Sequence, residues 1–301
     1  METIQLCYSL LKVRGIGRVK ANEILQSIAD LPSNAVDEIF KSFLENLNKD
    51  QGQQFKELAC SDIDMVSSYG VENEYISLLD SLYPNKLKKN LGWNAPTVLS
   101  YRGNLSLLDK KSVAFSGSRK VSEKGIEITK DCVEQLVNQG VCIVSGYAKG
   151  VDETAHYTAL QNGGSTIIVL SEGIENFRIK KIYKDVWDWD RVLVISEFLP
   201  DDAWRASRAM QRNDTIIALS DSVIVIEAGE TGGSYDAGIK TLEKNKRLFV
   251  TQYAHFPESA LGNRKLIAKN AIPLMKSKET MRVSMKKIFD SLENMYIGML
   301  F

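Results

Sequence analysis

From residue 111 onward the sequence alternates short unbroken runs of aliphatic and β-branched residues with amphipathic stretches, and few folds accept that pattern. The runs are Val113-Ala114-Phe115-Ser116, Val141-Cys142-Ile143-Val144, Thr166-Ile167-Ile168-Val169-Leu170, Val192-Leu193-Val194-Ile195, Val223-Ile224-Val225-Ile226 and Leu248-Phe249-Val250. Runs without polar alternation suit strands that are covered on both faces. Between them, Ser122 to Gln139, Asp152 to Asn162, Ala203 to Leu219 and Ser234 to Lys244 read as helices, with Gly140 and Gly163-Gly164 as stops. The alternation predicts an α/β fold built on a doubly wound parallel sheet. Ligands of such sheets sit beyond the carboxyl ends of the strands, so the loops that follow the strands are the candidate site.

The first part of the chain is different. Ile4 to Leu11, Ala35 to Leu47, Phe55 to Leu58 and Tyr75 to Leu82 carry apolar residues at helical spacing. We read residues 1–82 as a small helical domain and 83–110 as a connector, because Tyr83-Pro84 and Ala95-Pro96 disfavour helix before each proline. Thr97 to Tyr101 reads as a short strand and Gly103-Asn104 as a turn. Residues 111–275 form the α/β domain, and 276–301 a C-terminal helix or tail.

Charge does not name a partner. The 38 basic and 38 acidic residues cancel, so any anion-binding surface has to be local. Cys7, Cys60, Cys132 and Cys142 form no CxxC pair, and with only His156 and His255 beside them they suggest neither a metal site nor a disulfide framework. The first residues lack the pattern of a signal peptide, and no apolar run reaches membrane-spanning length. The expectation is a cytoplasmic protein without a membrane contact. The apolar tail Met295 to Phe301 is short, and is expected to pack or to mediate self-association.

Three glycine-bearing loops follow strands. Ser116-Gly117-Ser118-Arg119 is either a tight turn with a solvent-facing arginine or a phosphate site, in which Gly117 lets backbone approach a ligand, Ser118 offers a hydroxyl and amide, and Arg119 supplies a planar cation. In Ser145-Gly146-Tyr147-Ala148-Lys149-Gly150-Val151-Asp152, Gly146 and Gly150 flank Lys149, a point charge for an anion, while Asp152 reads as the N-cap of the next helix. His156 reads as a structural residue. In Glu227-Ala228-Gly229-Glu230-Thr231-Gly232-Gly233-Ser234, Gly232 and Gly233 make an anion-friendly nest, and the carboxylates either point away or touch a ribose or base. Arg212, beside Asn213, either points into the same crevice or pairs with a carboxylate such as Glu227. Neither GxGxxG nor GxxxxGK[ST] occurs, which disfavours nicotinamide or ATPase chemistry and predicts no cofactor.

Taken in order, these segments resemble the DprA/Smf family. The resemblance runs through Tyr83-Pro84 with Leu87, Ala95-Pro96, Tyr101-Arg102-Gly103-Asn104, Gly117-Ser118-Arg119, Ser145 to Asp152 with Ala155-His156, Ser196-Glu197, Arg212-Asn213, Ile226-Glu227-Ala228, and Gly262-Asn263 with Leu266-Ile267 and Ala271. It implies an extended Rossmann-like fold, a homodimer, cooperative binding of single-stranded DNA without catalysis, and delivery of that DNA to a RecA-type recombinase. It puts phosphate contacts on Gly117, Ser118, Arg119, Lys149 and Arg212.

Other features qualify the resemblance. Leu11 to Leu25 looks like a helix-hairpin-helix of SAM-like type, in which the Gly15-Ile16-Gly17 turn with Arg18 and Lys20 either meets DNA phosphate or serves as scaffold. Asp214 stands where the family often has a second arginine, which removes a positive charge. Residues 173–189 lack the family's usual Tyr-Pro and carry Arg178, Lys180, Lys181, Lys184, Trp187 and Trp189, either a strand-tracking surface or a solvated loop over buried tryptophans. The family's frequent C-terminal winged helix is expected to be missing. Two other readings stay open: a nucleotide-binding enzyme or sensor, like nucleoside-monophosphate phosphoribohydrolases, and an interaction scaffold without ligand. Transformation, recombination and defence against foreign DNA are all open as pathways.

Overall fold

A computed structural model describes residues 3–28, 31, 35–61 and 73–297. The chain divides into two compact units: residues 1–102 with 172–177 and 195–204, and residues 103–171 with 178–194 and 205–301. These are not the boundaries at 82, 110 and 275 that the sequence suggested. The first unit is discontinuous, because two later segments, 172–177 and 195–204, return to it.

In the first unit, α1 (Thr3–Lys12), α2 (Arg18–Gln26), α3 (Val36–Glu45) and α4 (Lys49–Ser61) enclose a core that includes Leu6, Leu10, Ile24, Ile39, Phe43 and Phe55. The expected helix over Tyr75 to Leu82 is instead a strand, β1 (Glu74–Ser77), followed by a turn. Its tyrosine and isoleucine suit a pleated surface. It pairs antiparallel with β2 (Val98–Gly103), Ile76 opposite Leu99. Asp80 ends it by accepting hydrogen bonds from the backbone and hydroxyl of Ser77, at 2.6 and 2.8 Å. Nor is the segment after Pro84 a bare connector: α5 (Asn85–Leu91) buries Leu87, and the buried Tyr83 hydroxyl donates to the Pro96 carbonyl at 2.6 Å.

The second unit has the predicted architecture. Its strands are β3 (Ser112–Ser116), β4 (Cys142–Ser145), β5 (Thr166–Val169), most of β6 (Val192–Ser196), β7 (Ser222–Val225), β8 (Arg247–Thr251) and β9 (Ile272–Leu274), in the order β6-β5-β4-β3-β7-β8-β9. The pairs β3–β4, β3–β7, β4–β5, β7–β8 and β8–β9 are all parallel, so the loops after these strands leave from one edge. Alternate residues point to opposite faces. Val113, Phe115, Ile143, Ile224 and Phe249 meet α6 (Glu123–Val137), α7 (Val151–Gln161) and α11 (Lys286–Ile297). On the other side lie α8 (Ala206–Leu219), against β3, β4 and β5, and α9 (Gly233–Glu243), against β7 and β8; α10 (Leu261–Ala268) packs on α9. The C-terminal helix expected within 276–301 is α11, and Val283, Met285, Ile288 and Leu292 are buried in this core. The end of the apolar tail, 298–301, lies outside the described residues. Among the described residues, no helix is long and apolar enough to cross a membrane.

Candidate nucleic-acid interface

The loop after β3 and the loop after β4 are locked together. Gly150 adopts a left-handed φ of +83°, and a Cβ there would stand 2.3 Å from the Ser118 carbonyl oxygen and 3.0 Å from the Arg119 Cα. Only glycine allows that approach. Gly117 is equally confined, since a Cβ would fall 2.4 Å from a methyl of Val151, the first residue of α7. These two close approaches put Arg119 and Lys149 on adjoining loops, and both side chains are exposed.

Not every polar group in these loops faces outward. The Ser118 amide donates to the Glu227 carbonyl at 2.7 Å, and its hydroxyl accepts from the Lys120 amide at 3.0 Å. The N-cap of α7 is Gly150 rather than Asp152; the Asp152 carboxylate instead accepts from the Ala148 amide at 3.2 Å, which braces the loop that carries Lys149. His156 is fully buried and bridges the Gly146 carbonyl, at 2.5 Å, and the Thr166 hydroxyl, at 2.6 Å. A carbonyl only accepts, so a ring proton sits on Nε2, while the Thr166 hydroxyl beside Nδ1 donates to the Ile143 carbonyl at 2.9 Å. Burial pushes its pKa down to about 4, against the pull of the Gly146 carbonyl.

Arg212, on α8, lies beneath this rim. Its Nη1 donates to the Val169 carbonyl at 3.2 Å, and its guanidinium packs against Gly146. Only 7% of the residue is exposed. Asn213 donates to the Gly233 carbonyl at 3.2 Å, tying α8 to the start of α9, where Gly232 and Gly233 are exposed. Asp214 pairs with Lys240 at 2.8 Å and Lys244 at 3.5 Å, so its charge is compensated by α9.

The Glu227 carboxylate is engaged by hydroxyls and an amide of the protein itself. It is fully buried, and both of its oxygens accept hydrogen bonds from Ser122, Tyr253 and Ser259. Tyr253 is driven upward in pKa by burial and by that carboxylate. No motif at a strand end marks Ser122, Tyr253 or Ser259. The sequence signal that was available is Gly125, one turn after the Ser122 cap, where a Cβ would collide with Glu227 Oε1 at 2.6 Å.

The remaining basic residues divide. Lys180 donates to the Tyr147 carbonyl at 2.9 Å, lies 4.3 Å from the centre of that ring, and pairs with Glu153 at 3.3 Å. Lys181 and Lys184 are exposed; nearby, Tyr147 stacks on Tyr183, Tyr183 meets Trp187 at a tilt and Trp187 meets Trp189 edge-on, with centroid spacings of 5.8, 6.0 and 5.1 Å, and Trp189 is exposed rather than buried. In the first unit Gly15 has a φ of +82° and Gly17 caps α2. Arg18 is committed to the buried carboxylate of Glu197 at 3.2 Å and to the Asn94 carbonyl at 3.2 Å, while Lys20 pairs with Glu23 at 3.5 Å.

A family model described as DNA recombination-mediator protein A matches residues 74–284. The chain belongs to that family. Among curated relatives, the DNA processing protein DprA of Streptococcus pneumoniae is 38% identical over 176 residues, 58% of this chain and 61% of that protein. Protein Smf of Escherichia coli is 32% identical over 182 residues, 59% of this chain and 48% of that protein. The matches thus span between about half and three-fifths of these relatives' lengths. Among solved structures, that of S. pneumoniae DprA superposes with a TM-score of 0.74 and 30% identity, covering 88% of this chain and 92% of the other. A structure of DNA processing protein A from Helicobacter pylori, reported for its single-stranded DNA binding mode, gives a TM-score of 0.57 and 26% identity over 67% of this chain and 90% of the other.

Proposed function

We propose that this chain binds single-stranded DNA along the rim formed by the loops after β3 and β4, performs no chemistry on it, and as a homodimer passes it to a RecA-type recombinase. The observation that carries the reading is the interlock of Gly150 with Ser118, which sets the exposed Arg119 and Lys149 on neighbouring loops. A guanidinium and an ammonium held side by side by backbone suit successive phosphates, and bind them with little sequence preference. Family membership and the H. pylori relative support the choice of ligand.

The competing hydrolase reading would need a carboxylate open to substrate. Glu227 is buried, with its oxygens committed to hydroxyl and amide donors, which counts against that role.

Titration of short single-stranded oligonucleotides at two salt concentrations tests the proposal. Each lost phosphate contact should flatten the dependence of log K on log salt by about 0.7. Arg119→Ala and Lys149→Ala should each do so and weaken binding across all sequences. Salt-independent binding, or wild-type affinity in both variants, refutes the rim. For the recombinase step, pre-bound DNA should speed RecA-type filament nucleation, and no acceleration removes that half of the proposal.

A further inference from the structure

We propose that Glu227 is the positioning residue that aims Arg119 at the strand; the inference rests on the DNA-binding reading above. The loop from Ser116 to Ser122, which carries Arg119 and Lys120, is fastened at both ends by the same short segment. At its start, the Ser116 carbonyl accepts from the Ile226 amide at 3.0 Å, and the Ser118 amide donates to the Glu227 carbonyl at 2.7 Å. At its end, the Ser122 amide donates to Glu227 Oε2 at 2.9 Å and the Ser122 hydroxyl to Oε1 at 2.5 Å. Arg119 therefore lies between two anchor points on one residue.

Glu227 is fixed in turn from the other side. The Tyr253 hydroxyl donates to Oε1 at 3.0 Å and the Ser259 hydroxyl to Oε2 at 2.6 Å. Asn263 fixes the flanking backbone, accepting from the Ala228 amide and donating to the Ile226 carbonyl, both at 2.8 Å. The carboxylate thus relays the position of the segment after β8 to the loop after β3. A fully buried acceptor with four donors has little freedom to move, and a loop hung from it inherits that order.

Charge and position make opposite demands on the test. Removing an anion near a phosphate site should strengthen DNA binding if only Coulomb forces matter. Positioning requires the reverse. Glu227→Ala should weaken single-stranded DNA binding roughly tenfold, as expected when a charge-assisted contact is lost. Its salt slope should flatten as in Arg119→Ala, and the double variant should bind no worse than either single one. Glu227→Gln keeps the size and most of the hydrogen bonds, and should recover most of the affinity.

Tyr253→Phe and Ser259→Ala leave the loop itself intact and serve if Glu227→Ala does not fold. Each should weaken binding about threefold, the cost of one neutral hydrogen bond. If Arg119→Ala weakens binding while folded Glu227→Ala, or both hydroxyl variants, bind like the wild type with an unchanged slope, the inference is wrong. If Arg119→Ala itself has no effect, the DNA-binding reading has failed first.

Discussion

A Cβ placed on Gly146 would stand 1.7 Å from Nη1 of Arg212, so the glycine after β4 is the space in which a buried arginine lies. The guanidinium is an internal brace: it reaches from α8 to the Val169 carbonyl at the end of β5 and fills the volume under the loop that carries Lys149. A lysine at 212 would not reproduce a planar fork in that slot.

Gly146→Ala should therefore destabilise the second unit by about 1–3 kcal/mol, the usual cost of forcing atoms into a filled interior. Urea midpoints would show it. Gly229→Ala, in the same unit, is the control, because a Cβ there meets only the Thr231 carbonyl oxygen at an ordinary 3.5 Å. Equal stability of Gly146→Ala and wild type would mean that Arg212 does not occupy this slot.

The sheet was legible from the sequence because burial on both faces leaves no alternative composition: each run from Val113 to Val250 became a strand. The ordering of the site loops was legible for the same reason, since parallel strands fix which ends carry loops. What pattern could not say is which way a cation turns. Arg212 reads from the sequence either as a crevice residue or as the partner of a carboxylate such as Glu227, yet it lies buried against Gly146, 66 positions away in sequence. Glu227 reads as a troublesome charge beside phosphate, and its donors come from Ser122, Tyr253 and Ser259, none of them near it in the chain. Short segments mislead as well: Glu74 to Ser77 took its strand form from pairing with β2, a tertiary cause that helical spacing does not contain.

His156 should make the fold sensitive to acid. Burial holds its pKa at about 4, below the value of 6.5 for an ordinary histidine. The unfolded chain then binds a proton through that interval while the native chain does not, so stability rises with pH. It should be complete above about pH 6.5 and fall as pH drops toward 4, by roughly 3 kcal/mol from this group. His156→Gln, measured by urea unfolding at pH 7 and pH 4.5, should lose most of that difference. An identical decline in both proteins would show that other groups cause it.

The hairpin around Gly15 and Gly17 sets scaffold against DNA contact, and Arg18 separates the two. Its Nη2 lies 3.2 Å from Glu197, whose side chain has no exposure, while Arg18 itself keeps 21%. Deleting one partner of such a pair strands the other charge in the interior, which costs several kcal/mol when both are buried and less when one end is wet. Arg18→Ala should lower the stability of the first unit by about 2 kcal/mol. Adding Glu197→Gln should restore part of it, because a neutral amide needs no counter-charge. DNA affinity and its salt slope should stay at wild-type values in both variants. A slope flattened by about 0.7 in Arg18→Ala would instead mean that this arginine leaves Glu197 to meet a phosphate when the strand arrives.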